Sequence, residues 1–245
     1  MNETPLRIAM WSGPRNISTA LMRAFENRED CAVWDEPFYG YYLAATGSDH
    51  PGAAEVIAEQ GTDSDAIIAR CIGNAPGGKS IFYQKHMTLH LLEQLDRSWL
   101  KALENCFLIR EPEAVIASYA AVRNTVTLSD IGFVQQAKLF EEARRISGQT
   151  PLVIDSREFL LDPRAMLEAI CARFDIEFSD RMLRWPPGPR DTDGVWARYW
   201  YDSVWRSTGF AHYRERSHDL DDQERKIAQQ ARPYYEDLYQ HRLQT

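Results

Sequence analysis

LRIAMWSGPRNISTALMRAF, residues 6–25, runs from an apolar stretch into a Gly/Pro loop and out into apolar residues at helical spacing. The apolar run 6–10 reads as a strand and 17–25 as a helix, so the opening unit is strand, loop, helix. Outward from it, residues 31–34 (CAVW), 80–84 (SIFYQ), 105–109 (NCFLI) and 151–154 (PLVI) are short runs rich in β-branched and aromatic residues. Residues 111–122, 130–146 and 163–174 read as helices between and after them, the last with Asp162 as N-cap and Pro163 at its first position. Strands that alternate with helices predict an α/β fold with a mainly parallel sheet covered on both faces.

The 245 residues suit a single domain, 1–245, with a core over 1–184 and a C-terminal appendage over 185–245. That appendage opens on Trp-Pro-Pro-Gly-Pro at 185–189, carries Trp196, Tyr199, Trp200, Tyr201 and Trp205, and ends in a helix over about 221–239. Hydrophobic residues make up 44% and charged residues 26%, the balance of a water-soluble globular chain. Lys and Arg number 28 against 36 Asp and Glu, a formal charge of -8, which argues against nucleic acid as a partner and requires any anionic ligand to find a local basic pocket. The start of the chain carries Glu3 and no leader-like apolar run, and no segment approaches the ~20 apolar residues of a membrane span. Cys31, Cys71, Cys106 and Cys171 lie far apart with no metal spacing, so they read as reduced packing residues of a cytoplasmic protein, with no metal expected.

Two loops compete as phosphate sites. Residues 73–80, GNAPGGKS, satisfy the pattern G-x-x-x-x-G-K-[ST] of nucleoside-triphosphate loops. That loop must follow a strand and open a helix, because backbone N–H groups at a helix N-terminus hold the phosphate. Here Ile81, Phe82 and Tyr83 follow, which is strand chemistry, and residues 64–72 before it fit a helix as well as a strand. A solvated turn is the better reading. Residues 12–19, SGPRNIST, fail the pattern but sit in the right place. Gly13 allows the turn, Arg15 brings a fixed charge, and Ser18 and Thr19 bring hydroxyls to the first helical turn. Taken alone, the segment fits an anion site and a plain capped turn equally.

Residues 107–119, FLIREPEAVIASY, supply a second candidate anion site: Arg110 ends a strand at the edge where open α/β sheets bind ligands, and Ser118 lies two turns along the next helix. The bland alternative pairs Arg110 with Glu111 or Glu113.

Together the two segments resemble the signature motifs of sulfotransferases that use 3'-phosphoadenosine 5'-phosphosulfate (PAPS). The resemblance extends through residues 151–174, covers about three quarters of the chain, and implies a P-loop-type fold. It implies that Ser12, Gly13, Arg15, Asn16, Ile17, Ser18 and Thr19 hold the 5'-phosphosulfate and that Arg110 and Ser118 hold the 3'-phosphate. The Pro-Arg loop is closer to bacterial and carbohydrate-type members, which puts Arg15 on the departing phosphate. Two residues compete as base for the acceptor proton. Glu36, in Trp34-Asp35-Glu36-Pro37-Phe38, resembles the Glu-Pro segment of carbohydrate-type members; His86, next to Lys85, resembles a Lys-x-His region at a different spacing. Adjacent side chains on a strand point opposite ways, so Lys85 and His86 cannot both be assumed to face the crevice. Glu36 is favoured, with Lys85 near the transferring group. The implied reaction is sulfuryl transfer from PAPS, leaving adenosine 3',5'-bisphosphate (PAP), to a hydroxyl or amine of a small-molecule or carbohydrate acceptor. A P-loop kinase or NTPase built on residues 73–80, and a non-catalytic binder of the bisphosphate, are the alternatives. Residues 40–72 are expected as loops forming an acceptor wall or lid. Acceptor identity, adenine contacts and oligomeric state stay open.

Overall fold

The structure, a computed structural model, describes residues 4–122, 125–215 and 217–245; Glu3 lies outside them. Strands β1 (Leu6–Ser12), β2 (Cys31–Asp35), β3 (Ile81–Met87), β4 (Glu104–Ile109) and β5 (Leu152–Asp155) form one sheet in the order β2-β3-β1-β4-β5. Every pairing is parallel. The helices are α1 (Ser18–Glu26), α2 (Tyr39–Thr46), α3 (Ala53–Gln60), α4 (Ser64–Cys71), α5 (Pro112–Ala120), α6 (Leu128–Ile131), α7 (Phe133–Ser147), α8 (Ser156–Leu161), α9 (Pro163–Arg173), α10 (Ala197–Trp200), α11 (Asp202–Trp205) and α12 (Asp222–Tyr239). The fold is α/β, a parallel sheet flanked by helices.

Period-two alternation splits β1 between two cores. Ile8 and Met10 pack with Leu21, Phe25, Leu167 and Ile170 under α1 and α9, while Ala9 and Trp11 pack with Phe107, Phe140, Ile227 and Leu238 under α7 and α12. The segment expected as an appendage therefore divides: α12 joins the main core, and Trp196, Ala197 and Tyr201 form a third cluster with Tyr39, Leu43 and Val56. The expected final helix keeps its place, with Asp221 as N-cap in a reciprocal bond with Glu224.

Three local expectations change. Residues 40–72 are mostly helical rather than loops, because Tyr39, Leu43, Val56, Ile67 and Cys71 give α2, α3 and α4 each something to bury. The long helix expected over 130–146 breaks into α6 and α7 at Gly132, whose φ of 73° is left-handed. Strand β3 ends at Met87, three residues past the expected 84, which moves the sheet's carboxyl edge along the chain.

All four cysteines are free and buried, and burial pushes the Cys31 and Cys71 thiols up to about 12, so both are inert packing groups. No helix among the described residues is long and apolar enough to cross a membrane.

Candidate active site

From β1 the chain crosses to β2 on one side of the sheet, and from β4 it crosses to β5 on the other. The carboxyl ends of β1 and β4 thus flank a topological switch point, the place where open parallel sheets leave a crevice. The loop after β1 and the segment after β4 both line a cavity there of about 760 Å³.

The β1 loop is built for close approach. Gly13 does not need a left-handed φ; a Cβ on it would sit 3.0 Å from the Ile131 carbonyl oxygen, so glycine serves the packing of the loop against α6. Arg15 takes the left-handed turn instead, at φ 59°. Thr88 Oγ1 donates to the Ser12 carbonyl at 2.8 Å, Asn16 Nδ2 donates to the Leu108 carbonyl at 3.1 Å, and Arg110 donates to the Arg15 carbonyl. Arg15 Nε in turn donates to Ser118 Oγ at 3.0 Å. The two segments thus form one bonded unit rather than two neighbouring loops. Helix α1 starts at Ser18 without any side-chain cap at Ile17, so its first-turn N–H groups keep their capacity to bind an anion. Ser18 is the first helical residue, not the cap that a plain turn would need.

Opposite this unit stands a buried charge cluster at the ends of β2 and β3. Lys85 Nζ donates to Asp35 Oδ1 at 2.9 Å, to Tyr201 Oη at 2.8 Å and to Glu36 Oε1. Tyr201 Oη donates to Asp35 Oδ2 at 2.7 Å. Burial pulls the Lys85 ammonium down, but Asp35 and Glu36 outweigh it and hold Lys85 well above the usual lysine range. Glu36 sits at φ 43°, its N–H bonded to the Lys85 carbonyl at 2.8 Å, and it lines the cavity.

Beside Glu36 lies His90, a residue the sequence reading passed over. Its ring stacks on Tyr39, 4.5 Å away and nearly parallel to it, and on Tyr42, 4.8 Å away. Burial, reinforced by Lys85 and His50, pushes its imidazole well below the ordinary range, so it is neutral. Its Nδ1, 3.7 Å from Glu36 Oε2, is a buried atom with no hydrogen-bond partner. The signal for His90 was its place just past the true end of β3; a strand read as ending at 84 put that edge at Lys85 and His86 instead. Tyr201 and His50 also line the cavity and could not be assigned from sequence, because each comes from a segment far along the chain.

Of the residues expected to form the site, Gly13, Arg15, Asn16, Ile17, Ser18, Thr19, Glu36, Lys85, Arg110 and Ser118 all line this cavity. Two do not. Ser12 is fully buried with Oγ bonded to the Gly13 carbonyl at 2.7 Å. His86 points to the opposite face of β3 from Lys85, stacks on Trp11 at 4.2 Å and bonds to Gln84 Oε1 at 3.2 Å. Burial pushes its imidazole down to about 3. The pattern-matching loop at 73–80 is a surface turn that leads into β3: Lys79 reaches the Glu29 carbonyl and the segment lines no part of the cavity.

The sequence pattern of the sulfotransferase domain family matches residues 6–241, nearly the whole chain. The chain belongs to the sulfotransferase domain family. Similar solved structures carry the same fold: the sulfotransferase from Alicyclobacillus acidocaldarius superposes with a TM-score of 0.56 at 13% identity, covering 98% of each chain. The sulfotransferase domain from the curacin biosynthetic pathway gives 0.53 at 14% identity, over 92% of this chain and 97% of that one. Among curated proteins, branched-chain-amino-acid aminotransferase-like proteins 1 and 2 of Arabidopsis thaliana are 35% and 32% identical to it over 84% and 83% of this chain. The domain spans only 37% and 36% of the length of those two relatives.

Proposed function

We propose that this domain transfers the sulfuryl group of PAPS to a hydroxyl- or amine-bearing small molecule without negative charge. The observation that carries the reading is the bonded unit of Arg15, Arg110 and Ser118 around the uncapped start of α1, facing Glu36 across one cavity. The resemblance assigns the 5'-phosphosulfate to Ser12, Gly13, Arg15, Asn16, Ile17, Ser18 and Thr19 and the 3'-phosphate to Arg110 and Ser118, and all of these but Ser12 line the cavity. The chemistry of the donors fits: first-turn N–H groups, a helix dipole and two guanidinium groups favour a polyanion despite the net negative charge of the chain.

In the proposed reaction the acceptor oxygen or nitrogen attacks sulfur, and the bond from sulfur to the bridging oxygen breaks. PAP leaves with the electron pair, and the acceptor proton passes to Glu36. Arg15 and the α1 N-terminus stabilise the charge that grows on the departing phosphate. Among the described residues, Arg15, Lys85 and Arg110 are the only lysines or arginines lining the cavity, and Lys85 is committed to Asp35, Glu36 and Tyr201. Tyr39, Tyr42, His90, Trp200 and Val204 also line the cavity, beside the carboxylates of Glu36, Glu93 and Asp130, which favours an acceptor with an apolar or ring face and no negative charge.

Incubation with sulfur-labelled PAPS and a panel of alcohols, phenols, sugars and amines tests the reading. Labelled product from the wild type, lost in Glu36→Gln, is expected. Tight binding of PAP with no labelled product from any acceptor would favour the non-catalytic binder.

A further inference from the structure

We propose that Tyr201, carried in by the C-terminal segment, is a positioning residue: with Asp35 it holds Lys85 so that Glu36 keeps Oε2 turned to the acceptor. The inference rests on the sulfuryl-transfer reading above and adds a residue that neither motif contains.

The hydrogen-bond inventory leaves little freedom. A lysine ammonium has three protons, and those of Lys85 meet three acceptors, Asp35 Oδ1, Glu36 Oε1 and Tyr201 Oη. Tyr201 has one proton, and it goes to Asp35 Oδ2. Tyr201 therefore acts only as an acceptor toward Lys85. Asp35 spends both oxygens inside this ring of bonds and does not line the cavity, whereas Glu36 spends Oε1 and lines the cavity. One buried ammonium faces two carboxylates: Asp35 is bonded at both oxygens inside the cluster, whereas Glu36 enters it through Oε1 alone, which leaves Oε2 for proton transfer. Without the Tyr201 hydroxyl, one Lys85 proton would be left unpaired in a buried site, which is costly. The nearest remedy is for Lys85 to swing onto Glu36 and occupy the oxygen that the acceptor needs.

The segment that delivers Tyr201 is anchored at both ends of the site. Asp193 accepts from Trp205 Nε1 at 2.9 Å and pairs with the buried Arg23 of α1, the helix whose N-terminus faces the donor. Trp196 meets Tyr39 of α2 edge to face at 5.2 Å. Donor helix, acceptor wall and charge cluster are thus tied through one stretch of chain.

Tyr201→Phe keeps the ring and removes only the hydroxyl. With labelled PAPS and p-nitrophenol as acceptor, kcat should fall roughly 100-fold, the loss typical of misplaced catalytic groups, while PAP affinity stays within about twofold of wild type. In a Glu36→Gln background the same change should cost nothing further, because the two residues act through one step. Unchanged kcat in Tyr201→Phe, an equal further loss in the Glu36→Gln background, or a variant that no longer binds PAP would each overturn the inference, the last by showing a purely structural role. A wild type inert toward p-nitrophenol and toward every acceptor of the panel above would instead count against the transfer reading itself.

Discussion

Arg15 and Glu36 both take left-handed backbone angles, at φ 59° and φ 43°, and both line the cavity. Each such residue without glycine costs of order 1–2 kcal/mol, and strain of this kind collects where a side chain must be aimed. Arg15→Gly should therefore melt no lower than wild type yet transfer sulfate poorly, a pairing that thermal melts beside the labelled-PAPS assay would detect. Glu36→Gln should lower kcat by about 100-fold or more, the usual worth of a general base, and leave PAP affinity unchanged. Full activity in that variant would remove Glu36 as the base. Arg110 donates to the Arg15 carbonyl, so its loss also loosens the loop that presents Arg15. Arg110→Ala is expected chiefly to weaken PAP binding and Arg15→Ala chiefly to slow transfer, with the double variant less than additive because the residues share one unit. A double variant whose losses simply sum, measured by calorimetry and initial rates, would contradict that coupling.

At the scale of elements, the loop between β1 and α1 leaves a side chain at position 13 in tight contact, since the neighbour there is the backbone oxygen of Ile131. Gly13→Ala should destabilise by about 1–3 kcal/mol as an overpacked site and weaken PAP binding as the loop shifts; an unchanged melting temperature would refute the close approach. The strand-loop-helix unit was legible because a short apolar run, a Gly/Pro loop and 3.6-residue spacing follow one another within 20 residues. The refusal of residues 73–80 was legible for the same reason, as strand residues follow where a helix must start. The role of Gly13 was not, since close approach involves Ile131, more than a hundred residues away. The edge of β3 was misplaced because Gln84, Lys85 and His86 are polar yet buried, so the apolar pattern that marks a strand ends before the strand does. His90 stayed hidden behind that error. Helix α2 was missed because Gly40 and a run of tyrosines are weak helix formers that tertiary burial overrides.

Across the whole molecule, burial makes the fold sensitive to acid. His86 is pushed down to about 3 and His90 well below the ordinary 6.5, in both cases chiefly by burial. The unfolded imidazoles take up protons near 6.5 while the folded ones refuse them, so stability is complete above that pH and is lost as pH falls through the window below it. Each such group contributes a slope of about 1.4 kcal/mol per pH unit there. His86→Phe should flatten denaturant-derived stability between pH 6 and 4.5 by about that slope while retaining transfer, because its ring faces Trp11 rather than the cavity. An unaltered slope, or lost transfer in a folded variant, would count against this placement. The cavity joins distant parts of the chain, among them the loop at 13–19, the segment at 110–118 and the C-terminal stretch bearing Tyr201, and the proposed function makes it a polyanion pocket. Calorimetric titration of the wild type with PAP and with ATP and Mg²⁺ tests that claim most directly. Tight binding of PAP, weakened in Arg110→Ala, with little affinity for ATP is the predicted result; tight binding of ATP and none of PAP would contradict it.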